Sequence, residues 1–117
     1  MANILVVDDE PDVRFLLRRI FEKAGHQVSE AWHGAVALDM VAASPPDLVV
    51  TDMMMPVMGG REMIARLRAD ERTESIPIVV LSAEANISTL RADAAISKPF
   101  SNADLTATVN TLLERAG

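Results

Sequence analysis

Ile4-Leu5-Val6-Val7-Asp8-Asp9-Glu10-Pro11 is the stretch that decides the fold. Four apolar residues run straight into three acids. A strand with one wet face alternates apolar and polar residues, and this one does not. An unbroken short apolar run suits a strand buried on both faces of a parallel sheet. The same arrangement recurs at Leu48-Val49-Val50, which leads into Thr51 and Asp52, and at Ile78-Val79-Val80-Leu81, which ends at Ser82. Two weaker strands are expected at Gln27 to Glu30 and Ala94 to Ile96.

Between these runs the apolar spacing changes from strand-like to helical. Val13, Leu16, Leu17, Ile20, Phe21 and Ala24 share one helical face, with Pro11 in the first turn and Gly25 at the stop. A second helix is expected around Ala35 to Ala43, before Pro45-Pro46. A third carries Met63, Ile64 and Leu67 on one stripe. The last begins at Ser101-x-x-Asp104, a capping box with the shorter acid, flanked by Phe100 and Leu105 as a staple. Leu105, Val109, Leu112 and Leu113 form its buried stripe. Only eleven residues separate Ser82 from Ala94. Parallel strands need a crossover of about a dozen or more, so a shortened fourth helix is expected there.

Strands that alternate with helices imply an α/β protein, a parallel sheet covered on both faces. Five strands fit a doubly wound, flavodoxin-like sheet in the order 2-1-3-4-5, whose crevice lies beyond the carboxyl ends of the central strands. The 117 residues suit one domain. With no cysteine, disulfides and thiolate metal sites are excluded. A net charge of -6 argues against direct nucleic-acid binding. No apolar run is long enough to span a membrane, and no signal peptide is evident, so a cytoplasmic location is expected.

The polar residues at the strand ends carry the chemistry. Strand 1 delivers Asp8, Asp9 and Glu10, strand 3 Asp52, strand 4 Ser82, and strand 5 Ser97-Lys98-Pro99. All these ends open on one side of a parallel sheet. Clustered carboxylates repel unless a cation relieves them, and oxygen ligands at a partly wet edge suit Mg²⁺. A carboxylate beside a metal, a lysine and a hydroxyl is a site for a phosphoryl group. The run Met53-Met54-Met55 with Met58 reads as adaptable packing, with Met53 and Met55 inward, rather than as a soft-metal site. His26 and His33 are expected in solvated turns, and Arg18-Arg19 with Glu22-Lys23 on the wet face of helix 1.

Taken together, Val6 to Pro11, Asp52 to Gly60, Leu81-Ser82-Ala83 and Lys98-Pro99-Phe100 resemble the receiver domains of two-component response regulators, over essentially all of residues 1–117. The resemblance implies that Asp52 is the phosphoacceptor in a two-component phosphorelay. It makes Asp9 a direct Mg²⁺ ligand, Asp8 a ligand largely through water, and the Met54 backbone carbonyl a further ligand. Ser82 corresponds to the switch hydroxyl and Lys98 to the lysine that pairs with the phosphoryl group. The Lys98–Pro99 peptide is expected to be cis.

The implied partners are a sensor histidine kinase or histidine phosphotransfer protein and a downstream protein target, with no membrane or nucleic acid involved. The implied role is a signalling module rather than a metabolic enzyme. Departures are also visible. Ala95 stands where the family has its switch aromatic, and Gly59 where an acid usually precedes the glycine of helix 3. The alternative is a pseudo-receiver, an interaction scaffold that works without phosphate. The short crossover and Ala95 favour it; the complete set of Asp8, Asp9, Asp52 and Lys98 opposes it. An aspartyl-phosphate hydrolase would need a second acid where Met54 stands. A nucleotide site would need a Gly-rich loop after strand 1.

Overall fold

The structure, a computed structural model, describes residues 2–82 and 91–116. Its strands are β1 (Asn3–Val7), β2 (Gln27–Ala31), β3 (Leu48–Asp52), β4 (Ile78–Ser82) and β5 (Ala94–Ser97). The helices among the described residues are α1 (Pro11–Lys23), α2 (Gly34–Ala43), α3 (Gly60–Ala69) and α4 (Asn102–Ala116). All pairings are parallel, in the order β2-β1-β3-β4-β5. The expected sheet is therefore the observed one. The shortened helix expected between Ser82 and Ala94 falls largely on residues 83–90, outside the described residues.

The two faces of the sheet divide the core by the period of two along each strand. Leu5, Val7, Val49, Ile78 and Val80 face α2 and α3, where Ala37, Val41, Met63, Ile64 and Leu67 close the layer. Ile4, Val6, Leu48, Val50, Val79 and Leu81 face α1 and α4, against Leu17, Phe21, Leu105, Val109 and Leu112. Burial on both faces explains why the central strands read as continuous apolar runs.

Local signals behave as their chemistry requires. The α1 terminus is a Schellman motif: the amide of Gly25 donates to Glu22 O at 3.0 Å and that of His26 to Phe21 O at 3.0 Å. Gly25 takes φ 94°, which favours glycine. At α4 the Ser101 hydroxyl oxygen accepts the Asp104 amide at 3.0 Å, the expected half of the capping box. Along α1 the stripe narrows: Leu17 and Phe21 are buried, whereas Leu16 is 45% exposed.

Both histidines do more than face solvent. His33 Nδ1 accepts the amides of Ala35 and Val36 at 3.2 and 3.3 Å and so caps α2, while His26 Nδ1 accepts the Ala2 amide at 3.2 Å. A single histidine in a turn gives no local sign of which backbone amides will reach its ring.

The base of the sheet is organised by Arg68, on the buried stripe of α3. Its side chain is 6% exposed and donates to Arg91 O, Glu74 O and Ile76 O at 2.7–2.8 Å. It also pairs with Asp93 Oδ2 at 2.8 Å, the same oxygen that accepts the Ile78 amide at 2.8 Å. One guanidinium thus ties the end of α3 to the segments entering β4 and β5. Truncation would leave the buried Ile76 carbonyl and two half-buried carbonyls without this donor. Arg68→Ala is expected to cost about 2–4 kcal/mol in urea unfolding, against less than about 0.5 kcal/mol for Arg66→Ala, whose bond to Glu62 is an exposed i,i+4 pair.

Candidate functional site

The all-parallel pairing puts the carboxyl ends of β1, β3, β4 and β5 along one edge of the sheet. There Asp8, Asp9 and Asp52 each present a carboxylate oxygen, and these atoms all lie within 4.8 Å of one another. Asp8 is buried, Asp52 half-buried and Asp9 exposed. Lys98 enters from the end of β5, with its Nζ 3.3 Å from Asp52 Oδ1 and 3.8 Å from Asp8 Oδ2. Its backbone amide donates to Ser82 O at 3.1 Å, which seats the lysine beside the end of β4. Ser82 is itself buried. The Lys98–Pro99 peptide is cis, as the family resemblance implied.

Asp8 is the most constrained of the acids. Its Oδ1 accepts the Glu10 amide at 2.9 Å, but its buried Oδ2 has no hydrogen-bond partner among the described residues. Burial is the largest influence and pushes the Asp8 carboxyl above its ordinary pKa; the Glu10 amide opposes it, Asp52 adds to it, Lys98 opposes it, and Asp9 adds to it. A buried carboxylate oxygen without a donor, set among three acids, is a place for a cation. An all-oxygen set with an open, wet side fits Mg²⁺ better than a softer metal.

Asp52 is positioned by backbone packing. Its Oδ1 accepts the Met53 amide at 2.8 Å. The chain then turns back so tightly that Gly60, at the start of α3, lies against the strand end. A Cβ at Gly60 would collide with Asp52 O and approach Met53 Cα to 3.1 Å, so only glycine allows this approach. The Gly60 amide donates to Met53 O at 3.0 Å, and Gly59 serves as N-cap without a side chain. Met53 and Met55 pack against the core as expected, joined by Met58, while Met54 is 77% exposed.

At the tip of this loop Val57 has φ 66° in a turn closed by Met58 N donating to Pro56 O at 2.7 Å. A β-branched residue is strained in that region, and Val57 is exposed. The Gly34 amide donates to Met58 O at 2.8 Å, which anchors the loop to α2.

Arg18, expected on the wet face of helix 1, is 33% exposed and is also ion-paired. Its Nε bonds Glu30 Oε2 at 2.7 Å and its Nη1 bonds Glu22 at 3.2 Å, and the Glu30 bond is the main cause of a raised Arg18 pKa. Sequence reasoning missed Arg14, whose Nη1 donates to Asp8 O at 2.6 Å and whose Nε bonds Glu30 Oε1 at 3.0 Å. The i,i+4 spacing of Arg14 and Arg18 was the available signal, without an indication of the shared acid.

Residues 4–110 match the response regulator receiver domain family. Over 120 residues the chain is 40% identical to response regulator MprA of Mycobacterium bovis, covering 97% of this chain and 51% of that protein. It is 36% identical over 117 residues to the sensor histidine kinase TmoS of Ectopseudomonas mendocina, covering 95% of this chain and 12% of the kinase. The chain thus spans about half of one relative and a small part of the other. Among solved structures, response regulator TrrA of Thermotoga maritima, in complex with Mg²⁺-BeF, superposes with a TM-score of 0.87 at 32% identity, covering 96% of this chain and 99% of that one.

Two expected outcomes test the geometry. Val57→Gly relieves the left-handed strain and is expected to stabilise the fold by about 1 kcal/mol in urea unfolding. Because folding raises the Asp8 pKa, its charge opposes folding at pH values above the folded-state pKa. That penalty disappears as pH falls to the ordinary, unfolded value. In metal-free buffer Asp8→Asn should therefore be more stable than wild type at pH 7, with the advantage shrinking on acidification through the carboxylate range.

Proposed function

The chain belongs to the response regulator receiver domain family, and we propose on that premise that residues 1–117 act as one phosphoacceptor unit with Asp52 as the acceptor. The observation that carries the reading is Lys98 Nζ at 3.3 Å from Asp52 Oδ1, beside three converging carboxylates and an undonated buried oxygen. An ammonium held against a half-buried carboxylate is placed to pair with a phosphoryl group once that carboxylate carries one. Mg²⁺ bound through Asp9, Asp52 and the Met54 carbonyl, and through water to Asp8, would neutralise charge on the phosphoryl oxygens.

A free Asp52 Oδ attacks the phosphorus of a phosphohistidine. The new O–P bond forms as the P–N bond breaks, and the bonding pair returns to the imidazole. Lys98 holds the charge that develops on the transferred group. The Ser82 hydroxyl donates to a phosphoryl oxygen of the product, and water later cleaves the acyl phosphate. The group donor is a sensor histidine kinase or a histidine phosphotransfer protein. The added charge of about -1.5 to -2 then changes contacts with a downstream protein, making this a signalling module rather than a metabolic enzyme. Ala95 is exposed on β5, and the chain has no tyrosine, so this signal passes without the usual hydroxyl–aromatic coupling.

Incubation with Mg²⁺ and acetyl phosphate should add one phosphoryl group to the intact mass. Asp52→Asn and addition of EDTA should each abolish the gain, and Lys98→Ala should slow it by about 10²-fold. Absence of both the mass gain and Mg²⁺ binding would overturn the proposal in favour of the phosphate-free scaffold.

A further inference from the structure

Asp8 is held at every polar atom except the one that faces the acidic cluster. Its amide donates to Ala31 O at 3.1 Å, its Oδ1 accepts the Glu10 amide, and its carbonyl accepts Arg14 Nη1 at 2.6 Å. Only Oδ2 is left without a hydrogen-bond donor among the described residues. The Arg14 bond is short and charge-assisted, in the stronger class of hydrogen bonds. It falls on the peptide joining Asp8 to Asp9, so it sets the plane from which both adjacent acids project.

The arginine is itself braced. Its side chain is 15% exposed, and its Nε is fixed by Glu30 Oε1, while the other oxygen of Glu30 takes Arg18 Nε. Glu30 and Ala31 are consecutive residues of β2, in register with Val6 and Val7 of β1. Ala31 therefore restrains the amide side of Asp8 directly, and Glu30 restrains its carbonyl side through Arg14. This connects an edge strand that carries none of the three clustered acids to the Asp8–Asp9 pair at the sheet centre.

We infer that Arg14, held by Glu30, is a positioning residue that sets the Asp8–Asp9 peptide for divalent-cation binding. The inference rests on the phosphoacceptor reading of the acidic site. Outer-shell partners that orient carboxylate ligands typically contribute about 10–100-fold to metal affinity. The brace acts on geometry before any phosphoryl group arrives, so its effect is readable from metal binding alone.

The test is calorimetric titration of the full chain with MgCl₂, with urea unfolding of each variant in metal-free buffer. Arg14→Ala is expected to weaken Mg²⁺ binding about tenfold. Glu30→Gln is expected to weaken it about threefold, and to add nothing in the Arg14→Ala background if it acts only through Arg14. Arg14→Lys should fall between wild type and Arg14→Ala, because an ammonium can reach the carbonyl but lacks the fork that engages Glu30 at the same time. Arg19→Ala, which removes an exposed cation over Phe15, should leave Mg²⁺ affinity unchanged.

A purely structural brace would lower the unfolding midpoint of Arg14→Ala while the folded protein binds Mg²⁺ as tightly as wild type; that result overturns the inference. Additive losses from Arg14→Ala and Glu30→Gln would overturn the relay through Glu30. Should Arg14→Ala fail to fold, unchanged affinity in both Arg14→Lys and Glu30→Gln is the overturning result. A wild type that takes up no Mg²⁺ defeats this inference, and with no phosphoryl gain from acetyl phosphate it defeats the phosphoacceptor reading as well, whereas a wild type that binds beside an unaffected Arg14→Ala defeats this inference alone.

Discussion

Three carboxylates brought within 4.8 Å of one another repel. Lys98 offsets part of this from one side. The remainder is borne by the sheet, whose central strands are buried on both faces. Each fully buried aliphatic side chain contributes about 1.5–3 kcal/mol, so the apolar runs that precede the acids supply the stability that holds them together. Strand and site are therefore one device. The buried apolar residues of β1 and β3 are those that hold Asp8 and Asp52 side by side.

The same constraint accounts for the backbone features around the site. The loop after β3 must leave the sheet and enter α3 without covering Asp52. It does so through a close approach at Gly60, a left-handed Val57 and an anchor from Gly34 to Met58. Strain kept beside a functional group is tolerated when the surrounding packing over-determines it, and here Met53, Met55 and Met58 supply that packing. Arg14 and Glu30 perform the corresponding task on the β1 side, with charge-assisted bonds in place of apolar contact.

The far end of the sheet is organised independently. Arg68 joins α3 to the entries of β4 and β5 through four donated bonds, at the opposite ends of the strands from the acids. A short crossover between β4 and β5 leaves little chain with which to correct a misplaced β5, and β5 carries Lys98 at its end. A rigid base under these two strands therefore bears on where the ammonium arrives.

Much of this was determined by sequence alone. Unbroken apolar runs specify parallel strands because burial on both faces leaves no polar alternation, and the acids that end those runs specify the edge at which they meet. Capping at Ser101 and the stop at Gly25 were also legible, since they depend on neighbours within a few residues. Tertiary structure decided the contacts between residues remote in sequence: the Glu30 carboxylate shared by Arg14 and Arg18, the buried Arg68 on a stripe that looked merely apolar, and the His26 ring that accepts the Ala2 amide. Leu16, on the expected face of α1, is left exposed because the sheet covers a narrower arc than the periodicity suggested. Periodicity reports which side of an element is buried. Only the packed fold determines which polar atom a long side chain will reach, because that depends on distances between elements that no local pattern encodes.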